Sequence, residues 1–291
     1  MEKERLATEE TSEPTEGEMT GQLTRSERRD AERRASPRAA IVFETVRREG
    51  QQELERPNAA LAFSGLAAGL SMGFSLVATG MLYAALPASS WRNIVSELGY
   101  TLGFMIVVAG RQQLFTENTV TAIGPLLDSK EKLKTFGNVV RLWSIVLATN
   151  ILGALLFALF VYRSDAFSPE IKHAFLQIGM TTLSFGFQAT LVKGIFAGWL
   201  IALMVWLMPA AEHNRLWVVL IITYVVGAAG LSHIIAGSVE GLYAVVAGAS
   251  TWSYYLLNFL LPVFIGNSLG GVLLVSILNY GQVAPESNET D

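Results

Sequence analysis

From residue 57 to the end, 235 positions carry only 10 basic and 11 acidic side chains. A soluble body of that size needs far more charge to cover its surface. This part of the chain is therefore built for lipid. The remaining charge crowds into residues 1–56, which hold 11 of the 21 Lys+Arg and 14 of the 25 Asp+Glu. The sequence reads as an all-α polytopic membrane protein with a charged N-terminal tail.

Apolar runs long enough to cross a bilayer need about 20 residues. The first, 59–86, has no charged residue and ends at Pro87. The second, about 94–127, is interrupted by Gly110-Arg111-Gln112-Gln113. A third covers about 137–162 and a fourth about 189–210, ending at Pro209. The fifth begins at Leu216 and runs into Gly227, Gly230, His233 and Gly237. The sixth, about 252–280, contains Pro262 and Gly266-Asn267-Ser268-Leu269-Gly270-Gly271. Residues 168–188, more polar and broken by glycine, suit an interfacial segment. Four units follow: a disordered tail over 1–38, an amphipathic interfacial helix over 39–56, a six-span domain over 57–283 and a C-terminal tail over 284–291.

Over 39–56, Ile41, Val42 and Val46 form a membrane-facing side, with Arg47, Arg48 and Arg56 in the headgroups; Gly50 weakens the helix. The first 40 residues lack an apolar signal segment, so the first span doubles as the insertion signal. Six spans put both termini on one side. Cytoplasmic termini place eight basic residues inside (Arg38, Arg47, Arg48, Arg56, Lys130, Lys132, Lys134, Arg215) against three outside (Arg92, Arg163, Lys172), the asymmetry expected of that orientation.

Whole classes of function fall away. With no cysteine, disulfide frameworks, thiolate metal sites and cysteine nucleophiles are excluded. A formal charge of −4 gives no nucleic-acid footprint. There is no HExxH, GxSxG, Walker A loop or Rossmann fingerprint, so neither enzyme chemistry nor a cofactor is expected. Ser232 beside His233 is no nucleophile–base pair, because adjacent helical residues point apart.

Glycines four apart (Gly65/Gly69/Gly73, Gly194/Gly198, Gly266/Gly270) let helices approach closely and read as packing. More informative are the Gly-plus-polar interruptions in the second and fifth spans. Corresponding breaks in two halves point to a transport site, although no strong residue-level similarity joins the halves. His233, in a broken span, reads as functional. His173 and His213 read as loop residues.

The motifs at these breaks resemble the formate/nitrite transporter family. Gly110-Arg111-Gln112-Gln113-Leu114-Phe115-Thr116-Glu117-Asn118 is similar to its broken-helix signature Gly-Ala-Glu-Leu-Phe-Thr-Gly-Asn. Lys193-Gly194-Ile195 with Trp199-Leu200, Leu231-Ser232-His233-Ile234-Ile235-Ala236-Gly237, and Gly266-Asn267-Ser268-Leu269-Gly270-Gly271 resemble its fourth-, fifth- and sixth-helix motifs. The resemblance spans about 41–283 and is nearest to the divergent YfdC-type branch of bacterial inner-membrane members. It implies a homopentamer of aquaporin-like protomers, each carrying its own pore for formate, nitrite or similar monovalent anions, or their conjugate acids. Self-association, a small anion and the lipid bilayer are then the partners.

Carried onto this chain, the resemblance makes His233 the central histidine, Thr116 its hydroxyl partner, Lys193 the residue attracting anions, and Asn267 part of the pore motif. Tyr100 and Phe104 fall at one constriction, Val226 at the other, with Phe115 counted among the apolar rings. From the residues alone, Thr116 serves equally as a helix cap, Lys193 as a snorkelling cation, and Tyr100 and Phe104 as packing. The family carboxylates are replaced by Gln113 and Ser232. Arg111 and Glu117, six apart, form an ion pair or contact the substrate. These departures leave two alternatives: a pore of the same fold for a neutral solute or water, or a non-conducting membrane scaffold.

Overall fold

The computed structural model describes residues 24, 26, 29 and 37–287. The tail expected over 1–38 lies almost wholly outside the described residues, as do residues 288–291 of the expected C-terminal tail. Among the described residues there is no strand. The helices in order are α1 (Ala39–Glu55), α2 (Asn58–Ala85), α3 (Arg92–Ser96), α4 (Thr101–Ala109), α5 (Phe115–Thr121) and α6 (Ile123–Asp128). Then come α7 (Lys132–Arg163), α8 (Pro169–Thr182), α9 (Phe187–Leu207), α10 (Arg215–Ala228) and α11 (Ile234–Val246). The last run is α12 (Trp252–Tyr254), a π-turn segment Tyr255–Leu260, α13 (Leu261–Gly271), a second π segment Val272–Ile277 and α14 (Leu278–Ser287). Pro262 sits at the head of α13, where the wider turns upstream accommodate a residue that cannot donate a backbone bond.

Three helices, α2, α7 and α9, are long and apolar enough to cross a membrane by length and composition. α2 stops because Leu86 is extended, the conformation that a following proline enforces. Large apolar side chains point outward, with Phe63 75%, Phe160 70% and Trp217 64% exposed. Lipid or a neighbouring subunit covers such surfaces; water does not.

Glycines set the packing. A Cβ on Gly69 would lie 2.2 Å from the Asn150 carbonyl oxygen, and one on Gly153 would lie 2.6 Å from that of Leu66, so α2 and α7 touch backbone to backbone. α9 and α13 repeat the arrangement, with Gly198 at 2.4 Å from the Asn267 oxygen and Gly270 at 2.3 Å from the Ile195 oxygen.

Two expectations change. Val42 and Val46 do not face lipid: with Gly50 and Leu54 they form a buried stripe at four-residue spacing along α1. Val46 packs with Val120, Ala202 and Val205, and only Ile41, at 55% exposed, keeps an open apolar face. The segment 168–188 is also more regular than its glycines suggest. α8 runs unbroken to Thr182, because Gly179 is the point where the helix rests on the Glu240 carbonyl, 2.4 Å from where a Cβ would sit. His173 is on the exposed side of that helix and not in a loop.

α1 is anchored at its first half by charge. Arg47 pairs with Glu44 at 2.7 Å and with Asp128, at the end of α6, at 3.3 Å. The Arg47 hydrogen bond holds the Glu44 carboxyl down at about 2, from an ordinary 4.5. A depressed carboxyl stabilises fully above its ordinary value and loses that contribution as pH falls towards 2. At this exposure the contribution is small.

Candidate functional site

α4 and α10 end alike. Arg111, at φ 49°, and Gly230, at φ 59°, take the left-handed conformation. The next amide in each closes a six-to-one bond: Gln112 to the Val107 carbonyl at 3.0 Å, Leu231 to the Val226 carbonyl at 2.9 Å. Both are the Schellman ending, for which glycine is favoured. At one break that glycine is present, and at the other an arginine bears the strain. Replacing Arg111 with Gly is therefore expected to raise the melting temperature of the detergent-purified protein by a few degrees, since the left-handed state costs a side-chain-bearing residue about 1–2 kcal/mol. Arg111→Ala, which keeps the strain, is the control.

After each break an asparagine from another helix clamps the chain. Asn150 Oδ1 accepts the Phe115 amide at 3.0 Å, while its Nδ2 donates to the carbonyls of Gln113 at 2.9 Å and Gly65 at 2.7 Å. Asn267 Oδ1 accepts the Ile234 amide at 2.9 Å, and its Nδ2 donates to the carbonyls of Ser232 at 2.9 Å and Gly194 at 2.8 Å. The six bonds correspond one to one. Backbone freed in a hydrocarbon-depth break must be satisfied by protein, and these two side chains do it. Asn267, expected in the pore, commits both of its amide protons and one acceptor site of its oxygen here.

The half-helices beyond the breaks meet through Thr116 and His233, whose Oγ1 and Nε2 are 2.8 Å apart. Thr116 and His233 are each 1% exposed. His233 also caps α11, its Nδ1 accepting the amides of Ile235 and Ala236 at 3.2 Å each. A ring nitrogen that accepts carries no proton, so a neutral His233 holds its proton on Nε2 and donates to Thr116. The Thr116 hydroxyl proton is then free for a third group. Phe104 closes one side of the imidazole, edge-on with ring centroids 4.8 Å apart, and Tyr100 packs tilted against Phe104, centroids 5.3 Å apart. Phe115 packs between Trp143 and Phe264, and Val226 is fully buried.

A cavity of about 230 Å³ reaches His233, lined among others by Tyr100, Lys193, Glu97, Thr182 and Glu240. Lys193 Nζ lies over the Phe185 ring, 3.5 Å from its centroid, and donates to the Gly230 carbonyl at 2.9 Å. No carboxylate pairs with it among the described residues.

Other placements depart from the sequence reading. Arg111 and Glu117 do not pair; Arg111 is exposed, and Glu117 has a buried oxygen without a partner. Gln113 is buried, donating to Glu53 at 3.2 Å and accepting from Asn118 at 3.0 Å. Glu53 of α1 also accepts from Asn118 at 3.0 Å and from the Thr121 hydroxyl. A carboxylate therefore does sit at this break, supplied from α1. Burial pushes the Glu53 carboxyl upward, against the pull of its three hydrogen bonds.

Sequence reasoning missed Asn150, Glu53, Glu97 and Glu240. For Asn150 a signal existed: Asn150-Ile151-Leu152-Gly153 repeats as Asn267-Ser268-Leu269-Gly270, and the partner helices carry Gly65/Gly69 and Gly194/Gly198.

Comparison with known proteins agrees with this architecture. A model of the formate/nitrite transporter family matches residues 40–281. The inner membrane protein YfdC of Escherichia coli (strain K12) is 40% identical over 252 residues, covering 87% of this chain and 81% of YfdC. A probable formate transporter of Methanothermobacter thermautotrophicus is 25% identical over 236 residues, 75% of this chain and 82% of that one. Among solved structures, a pentameric formate channel with formate bound superposes with a TM-score of 0.65 at 18% identity, covering 82% of this chain and 99% of the other.

Proposed function

The chain belongs to the formate/nitrite transporter family, and on that premise we propose that it passes small monovalent anions such as formate or nitrite, or their conjugate acids, across a bacterial inner membrane. The protomer is a six-span unit: α2, the broken pair α4–α5, α7, α9, the broken pair α10–α11, and the run from α12 to α14. Its termini face the cytoplasm and five copies assemble, each with its own pore. Lys193 draws the anion into the vestibule, and Tyr100, Phe104, Val226 and Phe115 strip its water.

The observation that carries this reading is the 2.8 Å contact between Thr116 and His233, where two half-helices from opposite halves meet. Each half-helix points its N-terminal end, which carries the positive end of the helix dipole and favours negative charge, toward this contact. His233, protonated on Nε2, orients Thr116 to donate its hydroxyl proton to the passing solute. Protonating Nδ1 as well would break the cap on α11, so hydrogen-bond sharing is the cheaper service for His233 to supply.

The test is uptake into proteoliposomes across about pH 5 to 8, with formate and nitrite as substrates and water and glycerol as controls. Wild type takes up both anions, more at low pH. His233→Ala and Thr116→Val lower uptake by about tenfold or more, the order expected when a buried donor is lost from a preorganised site. Glycerol or water flux without either anion would instead identify a neutral-solute pore, and no flux from folded oligomer would identify the scaffold.

A further inference from the structure

α1 and α8 lie outside the six spans, yet both stand in the same relation to the site. α1 crosses α5 at Gly50, where a Cβ would meet the Thr121 carbonyl oxygen at 1.8 Å; α8 crosses α11 at Gly179, where a Cβ would meet the Glu240 carbonyl oxygen at 2.4 Å. Thr121 and Glu240 each lie six residues beyond the first residue of their half-helix, Phe115 and Ile234. Gly50 precedes Gly65 by 15 residues, and Gly179 precedes Gly194 by 15. Gly65 and Gly194 supply the carbonyls that Asn150 and Asn267 bind. The correspondence between the two breaks therefore extends to α1 and α8.

One turn past each crossing glycine, a side chain bonds to the half-helix, and there the two halves exchange roles. On α1, Glu53 accepts from the Thr121 hydroxyl of α5. On α8, the Thr182 hydroxyl donates to Glu240 of α11 at 2.5 Å, the one side-chain hydrogen bond that Glu240 makes among the described residues. The carboxyl sits on the crossing helix in one half and on the half-helix in the other. What repeats is the bond, with its two ends reversed, and not the residue type at either position.

We propose that these two carboxyl–threonine bonds are equivalent latches that set the Thr116–His233 contact, making Glu53, Thr121, Thr182 and Glu240 positioning residues for transport. The inference rests on the pore reading above. α5 has seven residues and α11 has 13, lengths at which a helix is marginal alone, so each takes its position from what it packs on. Thr116 lies five residues before Thr121, and His233 seven before Glu240, each at the head of the helix that the latch grips. Glu53 extends its hold to Gln113 and Asn118, on either side of Thr116. The half-helices meet at their heads and are latched further along, each to a helix of its own half. Neither latch can then make good a slip in the other.

Formate uptake by proteoliposomes of the full-length protein tests this in a double-mutant cycle. Thr182→Val keeps the shape of the side chain and removes the hydroxyl. It is expected to lower uptake by about tenfold, within the range for misplacing a reacting group by about 1 Å. In a His233→Ala background the same change is expected to lower uptake by less than about twofold, because the latch acts through the imidazole. Thr182→Glu/Glu240→Thr, which turns the bond round to the order found between α1 and α5, is expected to restore most of the uptake that Glu240→Thr alone removes. Equal uptake by Thr182→Val and wild type, or a loss as large without His233 as with it, would overturn the proposal. So would an exchanged pair that folds and stays as poor as Glu240→Thr, since the carboxyl would then serve at position 240 in its own right. Wild-type vesicles that pass water or glycerol and neither anion would overturn the anion reading alone, and the latches are then judged by the same variants on that flux. No flux from folded oligomer would overturn both. If the exchanged chain does not purify as folded oligomer, Thr121→Val, alone and with Thr116→Val, is read by the same non-additivity.

Discussion

Replacing Asn267 with Asp is expected to unfold the second break, although the two side chains are nearly the same size. The carboxylate keeps an oxygen for the Ile234 amide but loses both protons that Asn267 gives to the Ser232 and Gly194 carbonyls. Two buried acceptors are left without donors, at about 1–3 kcal/mol each, and a negative charge is set against them. In a domain of this size about 1 kcal/mol corresponds to 2–4 °C. The melting temperature of the detergent-purified protein should fall by about 10 °C, or the variant should fail to accumulate. Asn150→Asp should do the same, since Asn150 makes the matching three bonds at the first break. Ser268→Ala is the control: the residue adjoins Asn267, yet its hydroxyl is buried without a partner. A melting temperature unchanged in either asparagine variant would show that the breaks are held by packing alone.

That pair of asparagines also marks where the sequence was legible and where it was not. The apolar helices and the interruptions at 110–114 and 229–233 could be read from apolar runs and glycine, because lipid permits few other arrangements. The meeting of Thr116 with His233 could be named only through family motifs, since 117 residues separate them. Asn150 lies inside an otherwise apolar run, and a lone asparagine there has no periodicity to announce it. Its one signal is the Asn-x-Leu-Gly run that it shares with Asn267, and its partner helix lies 85 residues earlier. Glu53 was illegible for another reason. On a charged amphipathic helix a glutamate reads as solvated, and nothing local shows that this one turns inward onto Gln113, Asn118 and Thr121. Glu240 was the avoidable miss: a carboxylate seven residues after His233 inside an apolar helix is expensive enough to be functional by default.

Gly50 gives the second large expected effect, and propensity and docking disagree about its sign. In an isolated helix Gly→Ala stabilises by about 1 kcal/mol, and on that basis Gly50 is a flaw in α1. In the fold it is the crossing point: a Cβ there would lie 1.8 Å from the Thr121 carbonyl oxygen and 2.5 Å from its carbon. Backbone cannot swing aside as a side-chain tip can, so the added methyl lifts α1 off α5. The contacts on either side then fail together. One turn before Gly50, Arg47 reaches Asp128 at 3.3 Å; one turn after it, Glu53 accepts from Gln113, Asn118 and Thr121. Lifting the helix leaves Gln113 and Asn118 short of a buried partner beside Thr116. Gly50→Ala should therefore raise the helicity of a peptide spanning 39–56 while lowering the melting temperature of the full-length protein by several degrees, about 1–3 kcal/mol by the usual scale of overpacking. Trypsin should also cut faster after Arg47, Arg48 and Arg56. A full-length protein that melts higher than wild type would mean that propensity governs this helix and that the buried stripe of Val42, Val46, Gly50 and Leu54 does not hold it to the bundle.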